Sequence, residues 1–126
     1  LGYSRVTLEA DMVESREIEN IINAFKKDYK NGRCRIIPRE KNQDTLNRLQ
    51  WIEEEALYYL EKNLKVEYYL SGPEQPHIKR GRLQTGSVWK FLMPVFSSKT
   101  KIRLEAYVKF HYCKDGTMFI SFHESI

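Results

Sequence analysis

Lys101-Ile102-Arg103-Leu104-Glu105-Ala106-Tyr107-Val108-Lys109-Phe110-His111-Tyr112 alternates polar and apolar residues almost without error. Side chains of a strand point to opposite faces in turn. The stretch therefore predicts a strand with Ile102, Leu104, Ala106, Val108, Phe110 and Tyr112 on a core. Lys101, Arg103, Tyr107, Lys109 and His111 then stand together on the other face, with Glu105 the one acid among them. A sheet face carrying that set is suited to gripping phosphate.

Working outward, Lys114-Asp115-Gly116 follows this strand, and Asp-Gly between two alternating runs is a strong hairpin signal. Thr117 to His123 is the returning strand, predicted to turn Met118, Ile120 and Phe122 inward. On the N-terminal side, Ser87 to Met93 puts Trp89, Phe91 and Met93 on one face and Val88, Lys90 and Leu92 on the other. Trp89 and Phe91 read as core, and Pro94 with Ser97-Ser98 reads as the turn into the long strand.

Helical periodicity dominates the first half. Ser15 is expected to cap a helix with Ile18, Ile21, Ile22, Phe25 and Tyr29 on one side, ended by Asn31-Gly32. Arg33 to Ile37 reads as a brief extended segment before Pro38. Asn42 to Gln50 gives a short helix with Leu46 and Leu49 inward, and another begins near Ile52 with Ala56, Leu57 and Leu60 on one side. Ser71-Gly72-Pro73 breaks the pattern, and Pro76 to Gly86 reads as an exposed basic loop. Helices followed by an antiparallel sheet predict an α+β fold, with N-terminal helices packed on one face and the other face open. That open face is expected to carry Lys90, Arg103, Tyr107, Lys109, His111, Ser121 and His123.

The chain has 126 residues, 41% of them hydrophobic and 30% charged, which suits one globular domain with a single core. Residues 1–14 are set apart within it as a leader or an added segment, with Met12 a candidate native start. No apolar run approaches the roughly 20 residues that cross a bilayer, so the expected address is the cytoplasm and no membrane partner is expected. Cys34 and Cys113 lie far apart in sequence, outside any CxxC, and read as reduced, packed thiols. The net charge is only +4, but its distribution is uneven. From Pro76 to Tyr112 the bases are Lys79, Arg80, Arg82, Lys90, Lys99, Lys101, Arg103 and Lys109 against Glu105 alone. Acids cluster upstream, so one end of the molecule is expected to be positive and to favour a polyanion.

Candidate chemistry follows from these residue types. His77, His111 and His123 have no metal-ligand spacing, and the face offers almost no carboxylate, so no metal and no cofactor is expected. Neither GxSxG nor a Walker-type loop is present. What the face does offer is cations, a phenol and imidazoles. RNA carries its own nucleophile in the 2′-hydroxyl, so cleavage needs only in-line positioning, proton transfer and positive charge at the phosphate. The alternative, from a different class, is a non-catalytic module that binds nucleic acid or a protein partner on the same basic face.

Several pieces of the chain together resemble the MqsR-like branch of the RelE-type toxin endoribonucleases of bacterial toxin–antitoxin systems. They are Arg39-Glu40-Lys41-Asn42 leading into Thr45-Leu46, Glu55-Ala56, Val66-Glu67-Tyr68-Tyr69, Gly72-Pro73-Glu74, Val88-Trp89-Lys90-Phe91, Ala106-Tyr107-Val108-Lys109 and Ile120-Ser121-Phe122-His123. The signal is their order and spacing across residues 39–123. The resemblance implies a small helix-plus-sheet fold, metal-independent cleavage of mRNA, often at the ribosome, and inhibition by a cognate antitoxin. By position it implies Lys90, Tyr107 and Lys109 of the YxK pattern, and His123 after Ser-Phe, as catalytic residues. Tyr68 or Tyr69 falls where family members can have a further polar site residue. The expected RNA-binding set is Arg103, Lys101, Lys79, Arg80, Arg82 and His111.

Overall fold

The alternating stretch becomes the middle of a five-stranded sheet. The computed structural model describes residues 13–126 apart from 77, 80, 81 and 84, with the backbone alone at 78, 79, 82 and 83. Residues 1–12, including the candidate start Met12, lie outside the described residues. Among the described residues three helices come first: α1 (Ser15–Lys30), α2 (Glu40–Leu49) and α3 (Glu53–Asn63), with strand β1 (Cys34–Ile36) between the first two. A 3-10 turn (Val66–Tyr68) leads into β2 (Tyr69–Glu74), and the long strands are β5 (Ser87–Phe96), β6 (Arg103–Cys113) and β7 (Gly116–Glu124). Two-residue strands β3 (Ile78–Lys79) and β4 (Arg82–Leu83) pair with each other between β2 and β5.

The sheet order is β1-β7-β6-β5-β2. Helices lie N-terminal to the sheet, an α+β arrangement. The sheet is mixed, not purely antiparallel, because β1 pairs parallel to β7 at Cys34↔Thr117 and Ile36↔Phe119. Between β1 and β7 the chain passes through α2, α3 and the other strands, so the two can lie parallel without a tight turn. Three further expectations are corrected. Ser71-Gly72-Pro73 lies inside β2, which accommodates it by register shifts against β5 and leaves the ladder irregular. Gly72 allows this close approach, because a Cβ there would meet the Val88 carbonyl oxygen at 2.8 Å. The Pro76–Gly86 segment contains the β3–β4 ribbon, which sets Ile78 and Leu83 at paired positions. Finally, β5 continues through Pro94 to Phe96, since proline at an outer strand position loses no required ladder bond.

One core joins the helices to the inner sheet face. Ile18, Ile22 and Phe25 of α1, Leu46 and Leu49 of α2, and Ala56 and Leu60 of α3 pack on Trp89, Phe91, Met93, Leu104, Ala106, Val108 and Phe110. Around Phe110 the aromatic contacts are close: the Phe91 ring stacks on it at 5.8 Å and the Phe119 ring meets it at 5.3 Å. At the N-terminus of α1, Glu14 takes the capping position that Ser15 was expected to hold, and its N–H donates to the Glu17 carboxylate.

Strand β7 departs from its expected phase. Phe110 pairs with Phe119, but Lys109 pairs with Ser121, so Ile120 is an extra residue in β7 and the alternation slips by one. Thr117 and Phe119 therefore face the core while Met118 is exposed and Ile120 lies on the outer side, reversing the expectation for those two residues. Phe122 is fully buried as expected. Beyond Phe119 the strand has no β1 partner, and α2 seals its edge with side chains. Asn42 donates to the carbonyls of Ile37 at 2.8 Å and Ile120 at 3.0 Å and accepts from the Phe122 N–H at 2.9 Å. Thr45 accepts from the Glu124 N–H at 3.1 Å. Asn42 and Thr45 of α2 thus hold Ile120, Phe122 and Glu124 through the backbone of β7.

Candidate active site

The ladder β5–β6–β7 arranges the outer face in rows. Ser71, Lys90, Lys109 and Ser121 form one row, and Leu92, Tyr107 and His123 form the next. Directly paired residues on one face have Cβ atoms about 4.5–5.5 Å apart, and rows two residues apart along a strand are about 7 Å apart. The four residues expected to be catalytic, Lys90, Tyr107, Lys109 and His123, are therefore brought into one patch. The Tyr107 and His123 rings are 5.6 Å apart, centre to centre.

Each member has a defined setting. His123 Nδ1 lies 3.0 Å from the Glu124 carbonyl oxygen. A carbonyl only accepts, so Nδ1 carries the proton in the neutral ring and Nε2 is left as the basic nitrogen. Lys90 is committed: its ammonium lies 3.0 Å from the Glu74 carboxylate. That carboxylate raises the Lys90 pKa above the ordinary lysine value, with the charge interaction at Tyr107 acting in the same direction against burial. Among the described residues Lys109 makes no ion pair, so it is the uncommitted cation of the patch. Two lysines directly opposite one another repel, and Glu74 offsets this. Ser121, expected on the open face, is only 4% exposed and offers no accessible hydroxyl.

The expected RNA-binding residues are more dispersed. Arg103 lies at the far end of β6, with its guanidinium 4.5 Å over the Phe96 ring. Lys101 falls before the strand, in a left-handed turn position (φ 64°), and so leaves the face on which the sequence placed it. His111 is on the outer face, but its Nε2 lies 2.6 Å from the Thr85 carbonyl, a tie to the preceding loop. Lys79 and Arg82 belong to the β3–β4 ribbon, where the backbone alone is described, and Arg80 and His77 lie outside the described residues.

The charge polarity read from sequence is also smaller in space. Upstream acids fold back onto bases: Glu55 holds Lys99 at 2.7 Å, Glu74 holds Lys90, and Glu53 holds Arg35 at 2.9 Å. Glu105 remains exposed on the outer face and makes no ion pair among the described residues. Tyr68 and Tyr69 separate cleanly. Tyr69 packs against Trp89 and Phe91 and donates to the Gly72 carbonyl, and burial raises its pKa. Tyr68 instead lines an outer cavity with Leu92, Phe96, Arg103 and Glu105.

Both ends of the patch open into cavities. One, of about 670 Å³, lies at the Arg103 end; the other, of about 780 Å³, lies at the His111 end and is lined in part by Arg35, Val88, Met118 and Ile120. Glu74 is the functional neighbour that sequence reasoning missed as Lys90's partner. Its only sequence signal is its place in the Gly72-Pro73-Glu74 piece, where Gly-Pro reads as a break. Among the described residues no three His, Cys, Asp or Glu side chains gather as metal ligands. Cys34 and Cys113 are free thiols, the first buried and the second half-buried. No helix among the described residues is long and apolar enough to cross a membrane. Comparison with known proteins returns no matching family model, no matching curated protein and no matching solved structure.

Proposed function

We propose that this chain is a metal-independent endoribonuclease that cleaves mRNA through its own 2′-hydroxyl and is neutralised by a cognate antitoxin. The observation that carries the cleavage reading is the Tyr107–His123 pair, 5.6 Å between rings, with Lys109 on the adjacent row. His123 Nε2 takes the 2′-hydroxyl proton as the 2′-oxygen attacks the adjacent phosphorus. The P–O5′ bond breaks, the Tyr107 hydroxyl supplies a proton to the departing 5′-oxygen, and the products are a 2′,3′-cyclic phosphate and a 5′-hydroxyl. Lys109 holds the charge that builds on the phosphorane, with Lys90 beside it and Arg103 toward the far end of β6. The antitoxin partner and the ribosome as a place of action rest on the resemblance of residues 39–123 to MqsR-like toxins, and the cytoplasm is the location expected from the sequence.

Induced expression with transcript-end mapping tests this. Wild type is expected to produce new 5′-hydroxyl ends and to arrest growth, undiminished for the purified protein in excess chelator. His123→Ala and Tyr107→Phe each remove one proton-transfer group, for a loss of about 10²- to 10⁴-fold, with unchanged thermal melting. If both variants cleave like wild type, the assignment is wrong.

A second reading is favoured by the commitments of Lys90 to Glu74 and His111 to Thr85, which hold two site groups in structural roles. On that reading the face binds nucleic acid or protein without chemistry. It gives salt-dependent RNA binding and no cleavage products.

A further inference from the structure

Beyond the Tyr107–His123 row, toward the end of β5, the outer face enters the cavity of about 670 Å³. That is within the roughly 300–1,000 Å³ typical of small-ligand sites. Leu92 lines it and is paired directly with Tyr107, so the cavity begins beside the candidate proton-transfer row. Glu105 is two residues from Tyr107 on the same strand and face, about 7 Å away along β6. RNA lying with a phosphate over Tyr107, His123 and Lys109 therefore carries a flanking base to this cavity.

Its lining has the chemistry of a base site. Tyr59 and Tyr68 supply aromatic surface, and Arg103 presents a guanidinium fixed 4.5 Å over Phe96. Unstacked RNA bases pack on aromatic rings and arginine planes of this kind. With Arg103 held on Phe96, Glu105 is left exposed and forms no ion pair among the described residues. An unneutralised carboxylate on a face that attracts phosphate opposes binding unless it meets hydrogen-bond donors.

A carboxylate has two acceptor oxygens and no donor. It is matched by an edge with two adjacent N–H donors, and guanine, through N1–H and the N2 amine, is the RNA base that offers them. Adenine and cytosine alternate a donor with an acceptor on that edge, and uracil flanks one donor with two acceptors. We propose that Glu105 reads a guanine flanking the cleaved phosphate, with Arg103 and Tyr68 as its stacking surfaces. This rests on the ribonuclease reading of the adjacent row.

The test separates recognition from cleavage by using tetranucleotides that lack every 2′-hydroxyl and so cannot be cut. Binding of oligomers with a single guanine, adenine or hypoxanthine in a uracil background is measured by fluorescence anisotropy with wild type and Glu105→Gln. Wild type is expected to prefer guanine over adenine roughly tenfold, the discrimination typical of one bidentate pair. Hypoxanthine, which lacks the N2 amine, falls between. Glu105→Gln, nearly isosteric at an exposed position, removes the preference while the melting temperature stays the same. Equal binding of all oligomers by wild type, or an unchanged preference in Glu105→Gln, overturns the proposal even if RNA is cleaved. A Glu105-dependent guanine preference without cleavage of the all-ribose oligomer keeps Glu105 as the guanine reader of a binding face and refutes the ribonuclease reading instead.

Discussion

Asn42 holds the backbone of Ile120 at the point where the β6–β7 ladder slips by one residue, donating to its carbonyl at 3.0 Å while accepting from the Phe122 N–H at 2.9 Å. The slip exchanges the phase of β7. Ser121 and His123 thereby share the outer face with Lys109 and Tyr107, while Phe119 and Phe122 both reach the core. A helix side chain thus takes the place of a missing strand and fixes where His123 points.

Replacing Asn42 by Leu removes these bonds at a site 1% exposed and leaves the Phe122 N–H buried without a partner. Each buried group left unsatisfied costs about 1–3 kcal/mol, so a loss of about 2–4 kcal/mol is expected in urea unfolding, with the slope unchanged. A loss below about 0.5 kcal/mol would mean that another group seals the edge of β7.

Glu74 and Lys90 form a pair that tunes the face. Glu74→Gln removes the neighbouring negative charge, so the Lys90 pKa returns toward its ordinary value and its ammonium becomes available to phosphate. RNA affinity is expected to rise, and the slope of log affinity against log salt to steepen by about one contact's worth, roughly 0.7 for single strands. Titrations at several salt concentrations would show this. An unchanged slope would mean that Lys90 does not reach the nucleic acid.

Cys34 gives a pH-dependent signature independent of function. Burial, reinforced by the Asp28 carboxylate and opposed by the Thr117 hydroxyl, pushes its thiol up to about 12 from 9.0. The folded state therefore keeps a proton that the unfolded state loses. The contribution is fully present below pH 9 and is lost progressively as pH rises toward 12. Relative to Cys34→Ala, wild type is expected to lose stability over that window, by no more than about 1.4 kcal/mol per pH unit. Parallel pH profiles of the two proteins would contradict this environment for the thiol.

The helices and the hairpin were legible in the sequence because each has a single dominant period: Ile18, Ile22 and Phe25 admit only a helix, and Leu104 to Phe110 only a strand. The phase of β7 was not legible. Met118, Phe119, Ile120 and Phe122 are all apolar, so either register buries hydrophobic side chains, and a helix 78 residues earlier in the chain decides between them through Asn42 and Ile120. His123 was placed on the correct face because Phe122 is inward in both registers. β1 reads as extended, but its three residues are too few to show that it joins the sheet beside β7, and Gly72-Pro73 hides β2 by looking like a break. With β2 unread, the Glu74–Lys90 pair could not be seen, and Lys90 looked freer than it is.

The adjacency of Tyr107 and His123 makes a prediction that single variants do not. Groups acting in one transition state are strongly non-additive when removed together. If Tyr107→Phe and His123→Ala each slow cleavage by about 10²- to 10⁴-fold, the double variant is expected to fall far less than the product of the two. The residual rate would come from charge at Lys109 and from positioning alone. Single-turnover cleavage of one oligonucleotide by all four proteins measures the coupling. A product-like loss would mean that the two rings, although 5.6 Å apart, serve separate steps. Sites this close normally couple even structurally, so the melting temperatures of the four proteins form the control cycle. Coupling in rate without matching coupling in stability is the result expected of a shared proton-transfer role.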